Sequence, residues 1–361
     1  MFDIDELRDA QEIVHRALPP TPTYAWPLLA QRLGAEVAVK HENHLPTGAF
    51  KVRGGIVFVD RLRRRTPDAK GLISATRGNH GQSIAFAGRR FDLPVTIVVP
   101  YGNSVEKNAA MRALGAELIE HGEDFQAARE EAQRLALSRG LLMVPSFHRD
   151  LALGVATYAL EMFTERPDID VLYVPIGLGS GICGCIGARD ALGLKTEIVG
   201  VQASKAPAYA LSFKAGRPVS TERSDTLADG MATRVPDEHA LEIIRRGASR
   251  IVLVSEAEIA AAVRVYWTDT HNLAEGAGAA PLAAALQERA SLAGRRVGLV
   301  LSGGNIDFDL FRTWIAPPDA GIKLGDPIDQ ENEMAVVVSR DPFSPFHEGK
   351  GFLRRVPTGT E

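Results

Sequence analysis

Cysteine is scarce: the 361 residues contain two, Cys183 and Cys185. One position apart, they are too few for a disulfide framework and lack the partners of a zinc site, so they read as small packing residues in a reduced protein. No uninterrupted apolar run approaches the ~20 residues that a membrane-spanning helix needs. The N-terminus, Met1-Phe2-Asp3-Ile4-Asp5-Glu6, is acidic and has neither a basic n-region nor an apolar h-region, so it does not read as a secretory signal. An excess of one charge is missing too. Lys+Arg number 41 and Asp+Glu 45, a net charge of −4, and nothing points to nucleic acid as a partner. The one local exception, Arg61, Arg63, Arg64 and Arg65 before Pro67, reads as the solvated end of a helix. These absences predict a cytoplasmic protein.

What is present is an ordinary globular composition, 45% hydrophobic and 24% charged. The length exceeds the usual size of a single core, so about two domains are expected. Helical spacing at Ile4, Leu7, Ile13 and Val14 ends before Pro19-Pro20 and is followed by an apolar strand at 36–40. Strands at 71–75, 95–100, 117–120, 171–175, 197–202, 251–254 and 297–301 then alternate with helices at 79–90, 104–114, 124–139, 151–164, 182–192, 257–270, 277–288 and 306–315. Between 203 and 249 the pattern is poor and polar. Such alternation predicts parallel sheets covered by helices on both faces. After Ala316-Pro317-Pro318 periodicity is lost, and 317–361 reads as an extended or disordered tail.

Four stretches carry chemistry. Pro46-Thr47-Gly48-Ala49-Phe50-Lys51 places a lysine at the start of a helix, where the positive end of the dipole disfavours its ammonium form. That prepares an amine for Schiff-base chemistry, although a solvated lysine would fit the same spacing. Ser74-Ala75-Thr76-Arg77-Gly78-Asn79-His80-Gly81-Gln82 ends a strand and opens a helix, a turn that suits a carboxylate or, more simply, one capped by Asn79. Gly177-Leu178-Gly179-Ser180-Gly181 follows another strand, and its glycines let backbone N–H groups wrap a phosphate. No acidic residue about 20 positions on completes a dinucleotide fingerprint, since Gln202 ends the next strand. Ser302-Gly303-Gly304-Asn305 adds a neutral hydroxyl at a third strand end.

Taken with Ala228-Asp229-Gly230 and Ala274-Glu275-Gly276, these motifs resemble, in order and spacing from about residue 10 to 316, the fold-type II pyridoxal-phosphate enzymes, specifically the serine/threonine dehydratase and serine racemase group. The resemblance implies an α/β fold of two domains, each an open, mostly parallel twisted sheet covered by helices, like tryptophan synthase β. Residues 1–50 and 151–316 would form the large cofactor domain and 51–150 the small one. The cofactor would be pyridoxal 5′-phosphate. Lys51 would hold it as a Schiff base and, once displaced, serve as the catalytic base. Phe50 would lie against its ring, Asn79 would meet its phenolic oxygen, and Gly177, Leu178, Gly179, Ser180 and Gly181 would enclose its phosphate. Glu275 would sit beside the pyridine ring and Ser302 at its nitrogen. Thr76, Arg77, Gly78, Asn79 and His80 would receive the substrate.

The implied reaction is α,β-elimination from a small β-hydroxy amino acid, threonine, serine or 3-hydroxyaspartate, to a 2-oxo acid and ammonia. A racemase or a β-replacement synthase on the same fold, or a cofactor-holding protein without turnover, are the competing readings. A homo-oligomer, in the simplest case a dimer, is expected. No metal is expected, because the cation-ligating positions of the group read Gln202 and Ala208 here. Three departures from the group's pattern stand out: Ala49 for serine, Leu178 and Ser180 within a glycine run, and Arg77 for serine or alanine. Arg77 would either pair with a protein carboxylate or clamp a second carboxylate on the substrate.

Overall fold

Short strands with no polar face need cover on both sides, and they receive it. In the computed structural model, which describes residues 1–316, every residue of Leu72–Ala75, Val95–Val99 and Val171–Pro175 is buried. The expected tail at 317–361 lies outside the described residues. In chain order the helices are α1 (Ile4–His15), α2 (Pro27–Leu33), α3 (Lys51–Arg65), α4 (Asn79–Arg90), α5 (Val105–Ala113), α6 (Phe125–Arg139), α7 (Arg149–Glu165), α8 (Ser180–Ala191), α9 (Ala208–Ala215), α10 (Glu238–Gly247), α11 (Glu256–Thr270), α12 (Gly276–Gln287) and α13 (Phe308–Ile315). The strands are β1 (Thr23–Ala25), β2 (Glu36–His41), β3 (Leu72–Ala75), β4 (Val95–Val99), β5 (Glu117–Glu120), β6 (Leu142–Met143), β7 (Val171–Pro175), β8 (Glu197–Ala203), β9 (Arg250–Val254) and β10 (Arg296–Leu301).

They form two sheets. One has six strands in the order β1-β2-β10-β7-β8-β9, the other four in the order β5-β4-β3-β6. All pairings are parallel except β1 with β2. The α/β class and the parallel sheets expected from the alternation are therefore found, with most element ends within one or two residues. β1, α2 and β6 were not expected, and α9 and α10 fill part of the stretch whose pattern was poor. α10 is strongly amphipathic, burying Ala240, Leu241 and Ile244 behind an Asp237 cap.

The arginine run at the end of α3 is less solvated than the sequence suggested. Arg61 and Arg65 donate to opposite oxygens of the buried Asp150 at 2.9 and 2.8 Å, while Arg64 pairs with Asp60. These charges fasten α3 to α7.

What matters for function is where strands stop. β2, β7 and β10 of the larger sheet and β3 of the smaller one all deliver their carboxyl ends to the loops that carry the sequence motifs, the usual ligand edge of a parallel sheet.

Candidate active site

The turn before Lys51 is built rigidly. Gly48 adopts φ +66°, a left-handed conformation that disfavours a side chain, and its carbonyl accepts from Gly304 N at 2.9 Å. Phe50 N donates to Ser302 O at 3.0 Å, and Ala49 bridges to Gly303. The lysine turn and the end of β10 are thus stitched together. Lys51 is the first residue of α3, as its spacing predicts, and its Nζ donates to Ser180 Oγ at 2.9 Å and lies 5.0 Å from the Phe50 ring centroid. Its pKa is lowered to about 8, chiefly because burial strips water from the ammonium, with Glu275 opposing. Desolvation therefore does most of what the sequence argument assigned to the helix dipole.

Asn79 opens α4, but it does not cap it; Gly78 is the N-cap and no side chain closes the first turn. The Asn79 amide turns inward instead, donating from Nδ2 to Glu275 Oε1 at 2.7 Å and accepting on Oδ1 from Asn305 Nδ2 at 2.8 Å. Asn305 also donates to Thr47 O at 2.8 Å, so one amide ties three motifs. Glu275 is buried, its N–H donates to Gly303 O at 3.0 Å, and its Oε2 accepts no hydrogen bond. Burial raises its carboxyl to about 7 despite Lys107 nearby.

The rest of that turn divides. Thr76 is buried, with Oγ1 accepting from Gly78 N at 3.1 Å, while Arg77 is exposed and makes no hydrogen bond or ion pair with any described residue. Of the two roles the sequence left open for Arg77, pairing with a protein carboxylate is not what the structure shows. The His80 ring is enclosed, its Nε2 has no partner, and burial beside Lys51 lowers its pKa to about 3, so the imidazole is neutral. Lys51, Gly54, His80, Ser146, Val155 and Ser180 line one narrow crevice.

The glycine loop closes the opposite side. Gly179 takes φ +102° as the N-cap of α8, Leu178 O accepts from Tyr209 Oη at 2.9 Å, and Ser180 and Gly181 begin the helix. A Cβ on Gly181 would come within 3.6 Å of the Phe50 ring. Ser302 is buried at the end of β10, and its hydroxyl makes no hydrogen bond with the described residues.

Sequence reasoning missed Lys107 and the contact role of Asp229. Lys107, from α5, is buried, forms a close ion pair with Asp229 Oδ2 and lies 3.8 Å from Glu275 Oε2. A lysine in the first turn of an amphipathic helix carries no local signal of this. At the position of the group's cation ligand, Gln202 Oε1 accepts from Ala210 N at 2.9 Å, and no group of three or more His, Cys, Asp or Glu among the described residues could hold a metal.

These groups fit pyridoxal phosphate on their own chemistry. The cofactor offers an aldehyde, a phenolic oxygen, a ring nitrogen and a phosphate. The structure offers a lysine of lowered pKa, an inward amide, an unpartnered serine hydroxyl and a glycine loop at a helix N-terminus. His80 Nε2 and Glu275 Oε2, both buried and without hydrogen bonds among the described residues, mark polar positions that those residues do not satisfy.

Comparison with known proteins points the same way. The chain is 32% identical over 311 residues to L-threonine ammonia-lyase of Thermotoga maritima, covering 86% of this chain and 77% of that protein. It is 31% identical over 317 residues to L-threo-3-hydroxyaspartate ammonia-lyase of Saccharomyces cerevisiae, covering 88% and 97%. Its fold matches the structure of maize serine racemase with a TM-score of 0.81 at 25% identity, over 86% of this chain and 96% of that one. The family described as pyridoxal-phosphate dependent enzyme matches residues 14–303, and the chain belongs to that family.

Proposed function

We propose that this enzyme is an ammonia-lyase that eliminates water from a small β-hydroxy amino acid, the released enamine then being hydrolysed to a 2-oxo acid and ammonia, and that 3-hydroxyaspartate is its preferred substrate. The observation that carries the lyase reading is Lys51, with a pKa near 8 and its Nζ turned onto Ser180 of the glycine loop. Bound pyridoxal phosphate supplies the electron sink that acidifies a substrate Cα–H. The chain supplies the rest. Lys51, neutral in a useful fraction near pH 8, takes the Cα proton. Ser180 and the glycines around it would hold the phosphate, Asn79 the phenolic oxygen and Ser302 the ring nitrogen. The Ser302 hydroxyl is neutral and does not hold that nitrogen protonated, which favours prompt loss of the β-hydroxyl over slower side reactions.

Arg77 supports the dicarboxylate. A guanidinium with no partner among the described residues, two residues before Asn79 and three before His80, suits a substrate carboxylate held bidentately. Removing one partner of such a pair costs roughly 2–5 kcal/mol, about 30-fold to several thousandfold. Arg77→Ala should therefore depress kcat/KM for 3-hydroxyaspartate at least about 30-fold while changing threonine and serine severalfold at most. An equal loss for all three substrates would remove Arg77 from side-chain recognition.

A further inference from the structure

Helix α5 belongs to the four-stranded sheet's side of the crevice, yet its first turn is fastened to loops that follow the strands of the other sheet. Ser104, its N-cap, accepts from Lys107 N at 3.0 Å and donates to Asp307 Oδ1 at 2.5 Å. Glu106 Oε1 accepts from Phe308 N at 2.8 Å. Between them Lys107 runs inward, its stem against Gly78, where a Cβ would meet Lys107 Cδ at 2.5 Å. Its Nζ ends between Asp229 and Glu275.

We propose that Lys107 is a positioning residue of the active site: its ammonium, 3.8 Å from Glu275 Oε2, favours the charged form of that carboxylate against the burial that opposes it, and its ion pair with Asp229 fastens α5 over the cofactor pocket. The inference rests on the pyridoxal-phosphate reading above. A lysine kept only to fasten α5 needs Asp229 alone. Lys107 also stands 3.8 Å from Glu275 Oε2, the buried carboxylate oxygen that no hydrogen bond from the described residues satisfies, while Oε1 accepts from Asn79. The charges acting on Glu275 are Lys107 from α5, Asp229 from the segment before α10 and Lys51 from α3; Asn79 of α4 donates to it, and Asp307 acts on Lys107. Burial and Asp229 push the Glu275 proton on, whereas Lys107 and, more weakly, Lys51 push it off. Burial also works against the Lys107 charge, but Asp229 and Glu275 outweigh it, and its pKa is raised. Lys107 therefore stays charged across the range in which Glu275 titrates. The ionised carboxylate is the better acceptor for Asn79 Nδ2, so its charge fixes the amide that the cofactor reading places at the phenolic oxygen.

The test uses holoenzymes of the wild type, Lys107→Gln, Lys107→Arg and Asp229→Asn. Two quantities are followed against pH: kcat/KM and, without substrate, the visible absorbance of bound pyridoxal phosphate. Lys107→Gln should move the acid-side midpoint of both upward by about one pH unit or more, a tenfold change in the protonation equilibrium. Lys107→Arg should restore it, and in a Glu275→Gln background Lys107→Gln should move nothing. Asp229→Asn removes a negative charge and should move the midpoint downward, which keeps the test decisive if Lys107→Gln fails to fold. A Lys107→Gln enzyme that loses thermal stability but keeps its midpoint, a shift that persists without the Glu275 carboxylate, or an Asp229→Asn midpoint that stays or rises would each overturn the proposal. Failure of the underlying reading looks different: the wild type itself would bind no cofactor or release no 2-oxo acid.

Discussion

At the scale of single residues, the central quantity is the ammonium of Lys51. Desolvation lowers its pKa to about 8, which makes the amine available near neutral pH, and its contact with Ser180 places it at the glycine loop. Lys51→Ala should abolish the visible Schiff-base band and lower turnover by at least about a thousandfold, within the usual range for a lost acid–base group. Absorbance spectra and 2-oxo acid release check this. A variant that keeps both would move the Schiff base to another lysine. Lys51, Asn79, Ser180 and Ser302 stood out in the sequence because each sits at a strand end or helix start, whereas Glu275 entered through the resemblance alone. Lys107 was not, because a lysine in Val105-Glu106-Lys107 looks like any solvated helix residue until the other sheet's loops are placed against it. Arg77 was visible as an anomaly, but only the structure shows that no carboxylate among the described residues claims it.

At the scale of elements, α3 must hold Lys51 still, and a buried charge cluster two residues on does this. Arg53 donates to Glu42 Oε2 at 2.7 Å and to Glu161 Oε1 at 2.6 Å, and Lys40 Nζ donates to Glu161 Oε2 at 2.6 Å. Burial alone would raise the Glu161 carboxyl, but Arg53 and Lys40 override it and lower its pKa from 4.5 to about 2. In the unfolded chain the carboxyl regains its ordinary value, so between about pH 4.5 and 2 the unfolded state binds a proton that the folded state does not. The stabilisation is present above that window and lost as pH falls through it. Glu161→Gln should cost about 3–5 kcal/mol near neutral pH, because it leaves buried cations short of a counter-charge. It should also flatten the acid loss of stability, measured by denaturant unfolding at a series of pH values. An acid slope identical to that of the wild type would assign the effect to other groups. None of this cluster was legible beforehand, since its members lie at 40, 42, 53 and 161 and meet only through the fold. The elements themselves were mostly legible, because short apolar strands alternate with amphipathic helices. β1 and α2 were hidden among prolines, β6 is two residues long, and α9 and α10 lie in a polar stretch.

At the scale of the whole molecule, one geometric fact organises the rest: two parallel sheets bring their carboxyl edges to a common crevice, and the contacts from Asn79 to Glu275 and from Lys107 to Asp229 span it. The sequence placed the motifs at strand ends, and the fold places those ends together. Family membership and the lysine, amide and serine arrangement support elimination; the proposed preference for a second carboxylate rests on Arg77, which is exposed and without a partner among the described residues. The most direct test is to supply purified holoenzyme with threo- and erythro-3-hydroxyaspartate, threonine and serine, and to quantify 2-oxo acid and ammonia from each. The account predicts equimolar 2-oxo acid and ammonia, with the highest kcat/KM for a 3-hydroxyaspartate isomer. Release of neither product from any of the four, or conversion only to the opposite enantiomer, would contradict it.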